Sequence, residues 1–338
     1  MANEKKIFNI VLANKAKYFE CPPDDVILNA GLRHGLAMRS ECSNGTCGSC
    51  IAKLKKGNTQ LVKFHDYKIE AELSAKGAFL MCCHSPLSDL ELEVDLIGDV
   101  RSIPLQDINT KVKKIVKINE NFISLVLRTP RSKTLQFMAG QQVELCYQDI
   151  SVRYSLASCP CNGMELEFHI RNLNSDHFSK ILFNGDLSAK SNIQVTGPRG
   201  IFVLREESIK KMIFIAWDGG FAPIRSLVEH AISLEMDNEI NFFWAFPAID
   251  KEPYLNRHAK SWNAVLDDYK YFPIPCKFER SLDNDCELIA ETIFNSLSLI
   301  DLKLSDLYIC APAELLIKLS ELIISSGIDE KNILGSPL

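Results

Sequence analysis

The chain has 338 residues and a formal net charge of −5, because 38 Lys and Arg stand against 43 Asp and Glu. Its composition, 46% hydrophobic and 24% charged, is that of folded globular domains and argues against a largely disordered chain. The acidic balance also argues against a general nucleic-acid binder, which needs a basic footprint.

Two further classes are excluded by the distribution of apolar residues. No apolar run approaches the roughly 18 residues that span a bilayer. The first twenty residues lack the apolar core and small-residue cleavage site of a signal peptide. We therefore expect a cytoplasmic protein without a membrane span, divided into two or three domains.

The first quarter of the chain predicts a small mixed domain, residues 1–98. KIFNIVL and AKYFEC alternate as the two strands of a hairpin. Asp24 and Asp25 are then expected to cap a helix that carries Val26, Leu28 and Ala30 on one face. LELEVDLI, residues 90–97, predicts a final strand, and Gly, Pro and Asp in residues 98–109 predict a linker.

The middle region, residues 106–206, is rich in strand patterns. KVKKIVKI, FISLVLRT, QVELCY and MELEFHI lie at short spacing and predict a barrel or a sandwich. One short helix is expected after Asp176.

The last region, residues 207–338, changes rhythm. MIFIA, INFFWA and LYICA are buried strand runs, and each precedes a helical stretch. Strands that alternate with helices predict a parallel sheet with helices on both faces.

The 12 cysteines are unusual in such a chain and indicate metal ligation or thiol chemistry. Cys42, Cys47 and Cys50 have the spacing C-x4-C-x2-C, which with a distant fourth cysteine is the plant-type pattern of a [2Fe–2S] cluster. Interleaved Gly45 and Gly48 would let the backbone approach the cluster. The fourth ligand is expected from the adjacent pair 82–83.

The alternatives for this cysteine cluster are a zinc site or inert buried thiols. A zinc site fits poorly, because zinc modules prefer matched C-x2-C pairs. Cys159-Pro160-Cys161 is either a redox or metal pair or, as we favour, two thiols in a loop. The others are expected to be packing thiols: Cys21, Cys146, Cys276, Cys286 and Cys310.

Glu41–Cys50 together with Leu80-Met-Cys82-x-x-x-Pro86 resembles the N-terminal ferredoxin domain of bacterial reductases that serve multicomponent oxygenases, and of the related deoxysugar dehydratase reductases. The resemblance covers nearly the whole chain. It implies a β-grasp-like ferredoxin domain, an antiparallel β-barrel that binds FAD and a parallel α/β domain that binds NAD(P)H. It also implies that Cys82, and not Cys83, is the fourth ligand.

Arg153-Tyr154-Ser155 resembles the family's flavin motif R-x-Y-S, in which Arg holds the pyrophosphate, Tyr packs on the ring and Ser bonds near its N5. The family Arg is displaced, since Val152 stands two residues before Tyr154. The resemblance implies a larger set of flavin-binding residues: Arg153, Tyr154, Ser155, Leu156, His169, Arg171, Phe178 and Ser179. Asp176 stands where relatives have Gly at the phosphate-binding helix start.

Ala216–Ile224 resembles the nicotinamide-domain motif A-G-G-T-G-x-A-P-I, but Trp217 and Asp218 replace its two leading glycines. Tyr308–Leu315 resembles the motif Y-V-C-G-P-P-x-M, with Ala311 in place of its Gly. The resemblance implies two catalytic residues, Ser155 and Cys310. It also implies a set of nicotinamide-binding residues: Gly219, Gly220, Ala222, Pro223, Ala311 and Pro312.

The expected function is an iron–sulfur flavoprotein oxidoreductase. Electrons would pass from NAD(P)H through FAD and the [2Fe–2S] cluster to a protein acceptor, an oxygenase or a dehydratase component. The departures at Val152, Asp176, Trp217, Asp218 and Ala311 motivate an alternative, a non-catalytic electron relay or redox sensor. A zinc-binding structural module is the third hypothesis.

Overall fold

The computed structural model describes the structure of the following residues: 7–13, 17–34, 36, 38, 45, 48, 50–94, 103–173, 175–277 and 282–338. No helix in these ranges is long and apolar enough to cross a membrane. Separate apolar cores lie in the N-terminal part, in the middle part and on each face of the C-terminal sheet.

The N-terminal part is a mixed five-stranded sheet with one packed helix. The hairpin of β1 (Phe8–Leu12) and β2 (Lys17–Cys21) is confirmed, and β1 also pairs in parallel with β7. The sheet order is β2-β1-β7-β3-β5, which is the expected β-grasp-like arrangement. The other elements are α1 (Ile27–Arg33), β3 (Ile51–Lys56), β4 (Thr59–Leu61), α2 (Ala71–Ala75), β5 (Ala78–Leu80), β6 (His84–Pro86) and β7 (Leu90–Glu93).

The structure contradicts one prediction in this part and confirms another as far as Glu93. The helix cap was predicted wrongly: Val26 is the N-cap of α1 and no side chain caps it. Asp25 instead accepts from the Val26 backbone N–H and pairs with Arg33, so its carboxylate holds the approach to the helix. The strand predicted at 90–97 is confirmed as far as Glu93, and residues 95–97 lie outside the described residues.

The middle part is one six-stranded antiparallel sheet with the order β11-β10-β13-β8-β9-β12. The sheet curls into an open barrel, so that its two edge strands, β11 and β12, come close together. The Ala157 N–H, just after β11, donates to the Glu167 carbonyl of β12 at 2.8 Å. Its elements are β8 (Gln106–Lys117), β9 (Phe122–Arg128), β10 (Gln142–Tyr147), β11 (Ile150–Ser155), β12 (Glu165–Arg171), α3 (His177–Asn184) and β13 (Asn192–Arg199). All four predicted strands and the helix after Asp176 are confirmed.

The predicted linker at 98–109 is too long at its C-terminal end. Strand β8 begins at Gln106, and residues 106–110 alternate buried and exposed side chains as a sheet strand does. Gln106, Ile108 and Thr110 are buried, which explains why this segment pairs with β13 as a strand and does not form an exposed linker.

The C-terminal part is a parallel five-stranded sheet with the order β16-β15-β14-β17-β18. Helices α4 and α5 pack on one face and α6 and α7 on the other, as predicted. The elements are β14 (Lys211–Trp217), α4 (Phe221–Ser233), β15 (Ile240–Pro247), α5 (Asn256–Ser261), β16 (Tyr269–Cys276), α6 (Leu282–Leu297), β17 (Ser305–Ala311), α7 (Ala313–Ser325) and β18 (Ile333–Pro337).

Candidate redox site

Two of the predicted cluster ligands meet in the N-terminal core. Cys50 Sγ lies 3.2 Å from Cys82 Sγ, and Cys83 Sγ lies 3.5 Å from Cys82 Sγ. All three side chains are buried. The hydrogen bond to Cys50 and the burial raise the pKa of the Cys82 thiol well above its usual range. Cys42 and Cys47 lie outside the described residues.

The backbone around these thiols fits an iron–sulfur cluster. Gly45 and Gly48 have φ of +84° and +77°, which L side chains rarely adopt. A Cβ at Gly45 would lie 2.6 Å from Cys83 Sγ, and a Cβ at Gly48 would lie 2.2 Å from the Tyr67 ring. Gly45 and Gly48 therefore lie close against neighbouring side chains, and converging thiols such as those of Cys50 and Cys82 are the donors that a [2Fe–2S] cluster requires.

Strand β11 presents Tyr154 and Arg153 on opposite faces. Tyr154 is half-buried, packs on Phe178 at 6.0 Å and donates from its hydroxyl to Asp176. Arg153 is exposed and lies opposite Glu144 on β10. Arg153 thus stands on the face away from the ring platform, as alternation along a strand requires. Leu156 is fully buried behind the strand end.

The start of helix α3 is occupied by its own cap. Asp176 Oδ1 accepts from the Phe178 and Ser179 backbone N–H groups at 2.9 and 3.1 Å. Ser179 is fully buried and donates from its hydroxyl to the Arg171 carbonyl at 2.7 Å. The ring of Tyr154 can therefore serve as a platform for a flavin ring. The Phe178 and Ser179 N–H groups cannot bind the flavin's phosphates while they donate to Asp176.

His169 lies in a buried polar cluster rather than facing a ligand. Its Nδ1 is 2.9 Å from the Tyr254 hydroxyl, and its Nε2 is 3.2 Å from Arg225 Nη1. Burial lowers the pKa of His169, which favours a neutral ring that accepts from Arg225. Arg225 is also paired with Glu167 at 2.9 Å. This cluster fastens β12 of the barrel to α4 of the parallel sheet.

Arg171 also crosses between the two parts. Its Nε lies 2.9 Å from Asp218 Oδ2, close enough for an ion pair. The N–H group does not point at this buried oxygen, so Oδ2 accepts no hydrogen bond. Asp218 is only 4% exposed and has a φ of +47°. Burial outweighs the attraction of Arg171 and raises the pKa of Asp218 to about 6.

The loop between β14 and α4 is closely packed. A Cβ at Gly220 would lie 2.3 Å from the Cys310 carbonyl, so only Gly fits there. Gly219 is half-exposed and faces the Phe122 ring, whereas Ala222 and Pro223 are buried under the helix start. Gly219 is thus the accessible backbone at the position where the resemblance implies a dinucleotide.

Ser155 of the barrel and Cys310 of the parallel sheet are linked through two intermediate residues, Gln142 and Ser336. Ser155 is opposite Gln142 in the β10–β11 ladder, and Gln142 Nε2 donates to Ser336 Oγ at 3.2 Å. Ser336 pairs with Cys310 in register and hydrogen-bonds its thiol. Burial raises the pKa of Cys310 to about 12, so the thiol is neutral at physiological pH. Ala311 is buried beside it, and Pro312 is half-buried at the start of α7.

The sequence analysis missed two aromatic residues near this contact between the barrel and the parallel sheet, Tyr254 and Trp244. Tyr254 stacks on Phe122 with ring centroids 3.8 Å apart, and Trp244 donates from Nε1 to the Asp218 carbonyl at 3.0 Å. Tyr254 follows a loop after β15 whose sequence carries no recognised motif. Arg225, a charged residue in the mostly apolar first half of α4, was an available signal, since a charge packed among apolar residues needs a partner.

Two family models match the chain. Residues 10–87 match a 2Fe-2S iron-sulfur cluster binding domain, and residues 109–204 match an oxidoreductase FAD-binding domain. These matches coincide with the N-terminal sheet and the open barrel.

Curated relatives match over most of their length. The chain is 27% identical to the CDP-6-deoxy-L-threo-D-glycero-4-hexulose-3-dehydrase reductase of Yersinia pestis, over 95% of both chains. It is 30% identical to Protein RfbI of Salmonella typhimurium, over 74% of this chain and 73% of that protein. It is 27% identical to the reductase component of the propane 2-monooxygenase of a Gordonia species, over 87% and 86%.

Solved structures share the fold. The cytochrome P450 reductase GcoB of Amycolatopsis superposes with a TM-score of 0.60 at 22% identity, over 98% of both chains. The ferredoxin-NADP+ reductase of Plasmodium falciparum superposes with a TM-score of 0.57 at 17% identity, over 69% of this chain and 96% of that one.

The two domain matches, in this order along the chain, account for both cofactor sites described above. The expected [2Fe–2S] cluster, FAD and NAD(P)H are the cofactors of this domain combination, and the protein is an oxidoreductase that delivers electrons to a protein partner. The chain belongs to the iron–sulfur flavoprotein reductases that combine a ferredoxin domain with an FAD-binding reductase.

Proposed function

We propose that Ser155 and Cys310 form the hydride-transfer site of this reductase and that Cys42, Cys47, Cys50 and Cys82 hold its cluster. Three neighbouring contacts from the barrel to the parallel sheet support it. Ser155 pairs with Gln142 in the β10–β11 ladder, Gln142 donates to Ser336, and Ser336 pairs with Cys310. Domain limits of 1–98, 106–206 and 207–338 are part of the same proposal and follow the separate apolar cores.

FAD supplies the chemistry that accepts a hydride and releases electrons one at a time. Tyr154 offers its ring as a platform, and Ser155 offers a hydroxyl at the strand end. Cys310 is neutral and buried, so it excludes water and orients a nicotinamide without competing as a nucleophile. Gly219 leaves backbone free for close approach of a dinucleotide.

Substitution of the two residues tests this site. Ser155→Ala and Cys310→Ala should each slow flavin reduction by NADH at least tenfold in anaerobic stopped flow, with unchanged iron content. Cys276→Ala is the matched control, because burial also raises the pKa of that thiol to about 12 but it lies on edge strand β16. Flavin reduction at the native rate in both variants would refute the assignment.

We infer that the acceptor is a dehydratase of a nucleotide-linked deoxysugar and that the protein acts in the cytoplasm. The dehydrase reductase of Yersinia pestis aligns over 95% of both chains, a larger share than the propane monooxygenase reductase covers. An oxygenase is the second candidate. Product formation by a CDP-hexulose dehydrase with this protein and NADH, and none with an oxygenase component, is the expected result; the reverse would favour the oxygenase.

A further inference from the structure

The prediction of two thiols in a loop at positions 159 and 161 was wrong, because a disulfide joins Cys159 and Cys161. Cys159 is the N-cap of a short 3-10 turn, Pro160–Asn162, that follows β11. Both residues are half-buried, so a small reagent can reach them. The function proposed above does not use them.

Helix α4 places an imidazole against both sulfurs. His230 Nδ1 lies 3.8 Å from Cys159 Sγ and 4.0 Å from Cys161 Sγ, and Ser233 Oγ lies 3.2 Å from Cys161 Sγ. On its other side, His230 Nε2 lies 3.4 Å from Glu206 Oε1. An Nε2–H that donates to Glu206 leaves the Nδ1 lone pair directed at the sulfurs.

The turn lies where the three parts of the chain meet. It packs against α1 of the ferredoxin part and against α4 of the parallel sheet. Cys161, Leu32 and Leu36 line one small cavity. Glu206, which holds His230, is also paired with Lys17 of β2 at 3.3 Å. Breaking or forming the Cys159–Cys161 bond therefore alters a turn that contacts all three parts of the chain.

We propose that Cys159 and Cys161 form a thiol–disulfide redox site that exchanges electrons with a low-molecular-weight thiol such as glutathione, with His230 as the proton carrier. Two thiol molecules form one S–S bond and give up two electrons, and the Cys159–Cys161 bond breaks. His230 Nδ1 takes the proton of the first small thiol, the resulting thiolate attacks one cysteine sulfur and forms a mixed disulfide, and His230 gives that proton to the cysteine sulfur that leaves. The second thiolate attacks the mixed disulfide and releases the other sulfur. Two protons pass from the small thiols to the protein thiols, so atoms and charges balance.

The chain allows a direct measurement. Trypsin cleaves after Arg153 and Arg171, so both cysteines lie on one peptide, 154–171, and the preceding peptide, 134–153, carries Cys146 alone. The holoprotein is equilibrated in glutathione buffers of graded redox ratio, quenched in acid and alkylated before and after reduction. Peptide 154–171 should pass from disulfide to dithiol in one two-electron step, and Cys146 should never enter an internal disulfide.

Three results would overturn the proposal. The pair could remain a dithiol at every ratio, or it could remain a disulfide in native protein under excess dithiothreitol. The third is one zinc per chain in the holoprotein that is lost in Cys161→Ser, because this would make the pair and His230 a metal site.

His230→Gln tests the proton carrier. Reduction of the disulfide by glutathione should slow at least tenfold while the equilibrium midpoint stays within twofold, because a proton carrier changes the rate and not the equilibrium. His258→Gln is the control, since that imidazole contacts Glu229 and lies on α5. An unchanged rate in His230→Gln would remove His230 from the proposal.

Discussion

Arg171 of the barrel and Asp218 of the parallel sheet form an ion pair between these two parts of the chain, with Nε and Oδ2 2.9 Å apart. Each side chain stands in a cofactor motif, Arg171 near the flavin platform and Asp218 in the nicotinamide loop. Asp218, which replaces a glycine of the family motif, thus pairs with Arg171, a cation that would otherwise be available to a cofactor phosphate. The pair thus joins one departure from the family pattern, Asp218, to a residue that the resemblance assigns to the flavin, Arg171.

Asp218→Gly should lower the Michaelis constant for NADH. A carboxylate within ~5 Å of a phosphate costs about 1–3 kcal/mol at an effective dielectric near 20, so we expect an improvement of about ten- to a hundredfold. Glycine also suits the φ of +47° at this position. Steady-state kinetics with ferricyanide as acceptor measure it, and Asp186→Asn, an exposed acid of the barrel, is the control. An unchanged or higher Michaelis constant would contradict the electrostatic argument.

Asp218→Asn should stabilise the parallel-sheet domain above pH 6. Folding raises the pKa of this acid from 3.8 to about 6, so the folded chain binds more protons in that window and loses stability as pH rises through it. The difference corresponds to on the order of 3 kcal/mol at pH 7, and it should shrink towards pH 5.

The thermal midpoint of tryptophan fluorescence measures this difference, since Trp217, Trp244 and Trp262 all lie in this part of the chain. Asp306→Asn is the contrasting variant. Asp306 is also buried, but it pairs with Arg205 at 2.6 Å, so neutralising it should lower the midpoint. A gap between native protein and Asp218→Asn that does not change with pH would rule out the titration of Asp218 as its cause.

Local patterns predicted the parts of the fold that local chemistry dictates. The continuous apolar runs of β14, β15 and β17 were predicted because strands buried on both faces need such runs. Strand β16 was missed because Pro273 and Pro275 interrupt its pattern. Both are tolerated there because β16 is an edge strand, where a missing N–H costs little.

For the candidate site too, local patterns predicted some residues and not the contacts between distant ones. Cys50 and Cys82 were predicted, because ligand spacing is written along the chain. The Arg171–Asp218 and Gln142–Ser336 contacts could not be predicted, because each joins residues from different domains and depends on how these pack. The helix cap was predicted wrongly for a local reason, since the Asp25 carboxylate accepts from the Val26 N–H and pairs with Arg33 instead of capping the first turn.

Serine substitutions should separate the cluster ligands from their neighbour. Cys50→Ser and Cys82→Ser should remove or strongly shift the EPR signal of the reduced cluster, because both thiols point into one site. Cys42→Ser and Cys47→Ser should do the same. Cys83→Ser is the matched control and should keep a normal signal. A normal signal in Cys82→Ser with loss in Cys83→Ser would exchange the two assignments.

Val152→Arg should tighten FAD binding about tenfold, because a hydrogen bond to a charged group contributes about 1.5–3 kcal/mol. Position 152 is two residues before Tyr154 on the same strand, so its side chain lies on the face of the ring platform. Arg153→Gln should leave the dissociation constant unchanged, since Arg153 is exposed on the opposite face. Weaker binding in Arg153→Gln would show that the displaced arginine holds the phosphates after all.

Electrons from a nicotinamide cofactor are expected to reach the cluster within this chain. The direct measurement is an anaerobic titration of the FAD- and cluster-loaded protein with NADH, followed by its absorption spectrum and by EPR of frozen samples. We predict that the flavin bands bleach and that the signal of a reduced [2Fe–2S] cluster appears with them. A flavin and a cluster that both stay oxidised at millimolar NADH and NADPH, in native protein and in Asp218→Gly alike, would contradict the account.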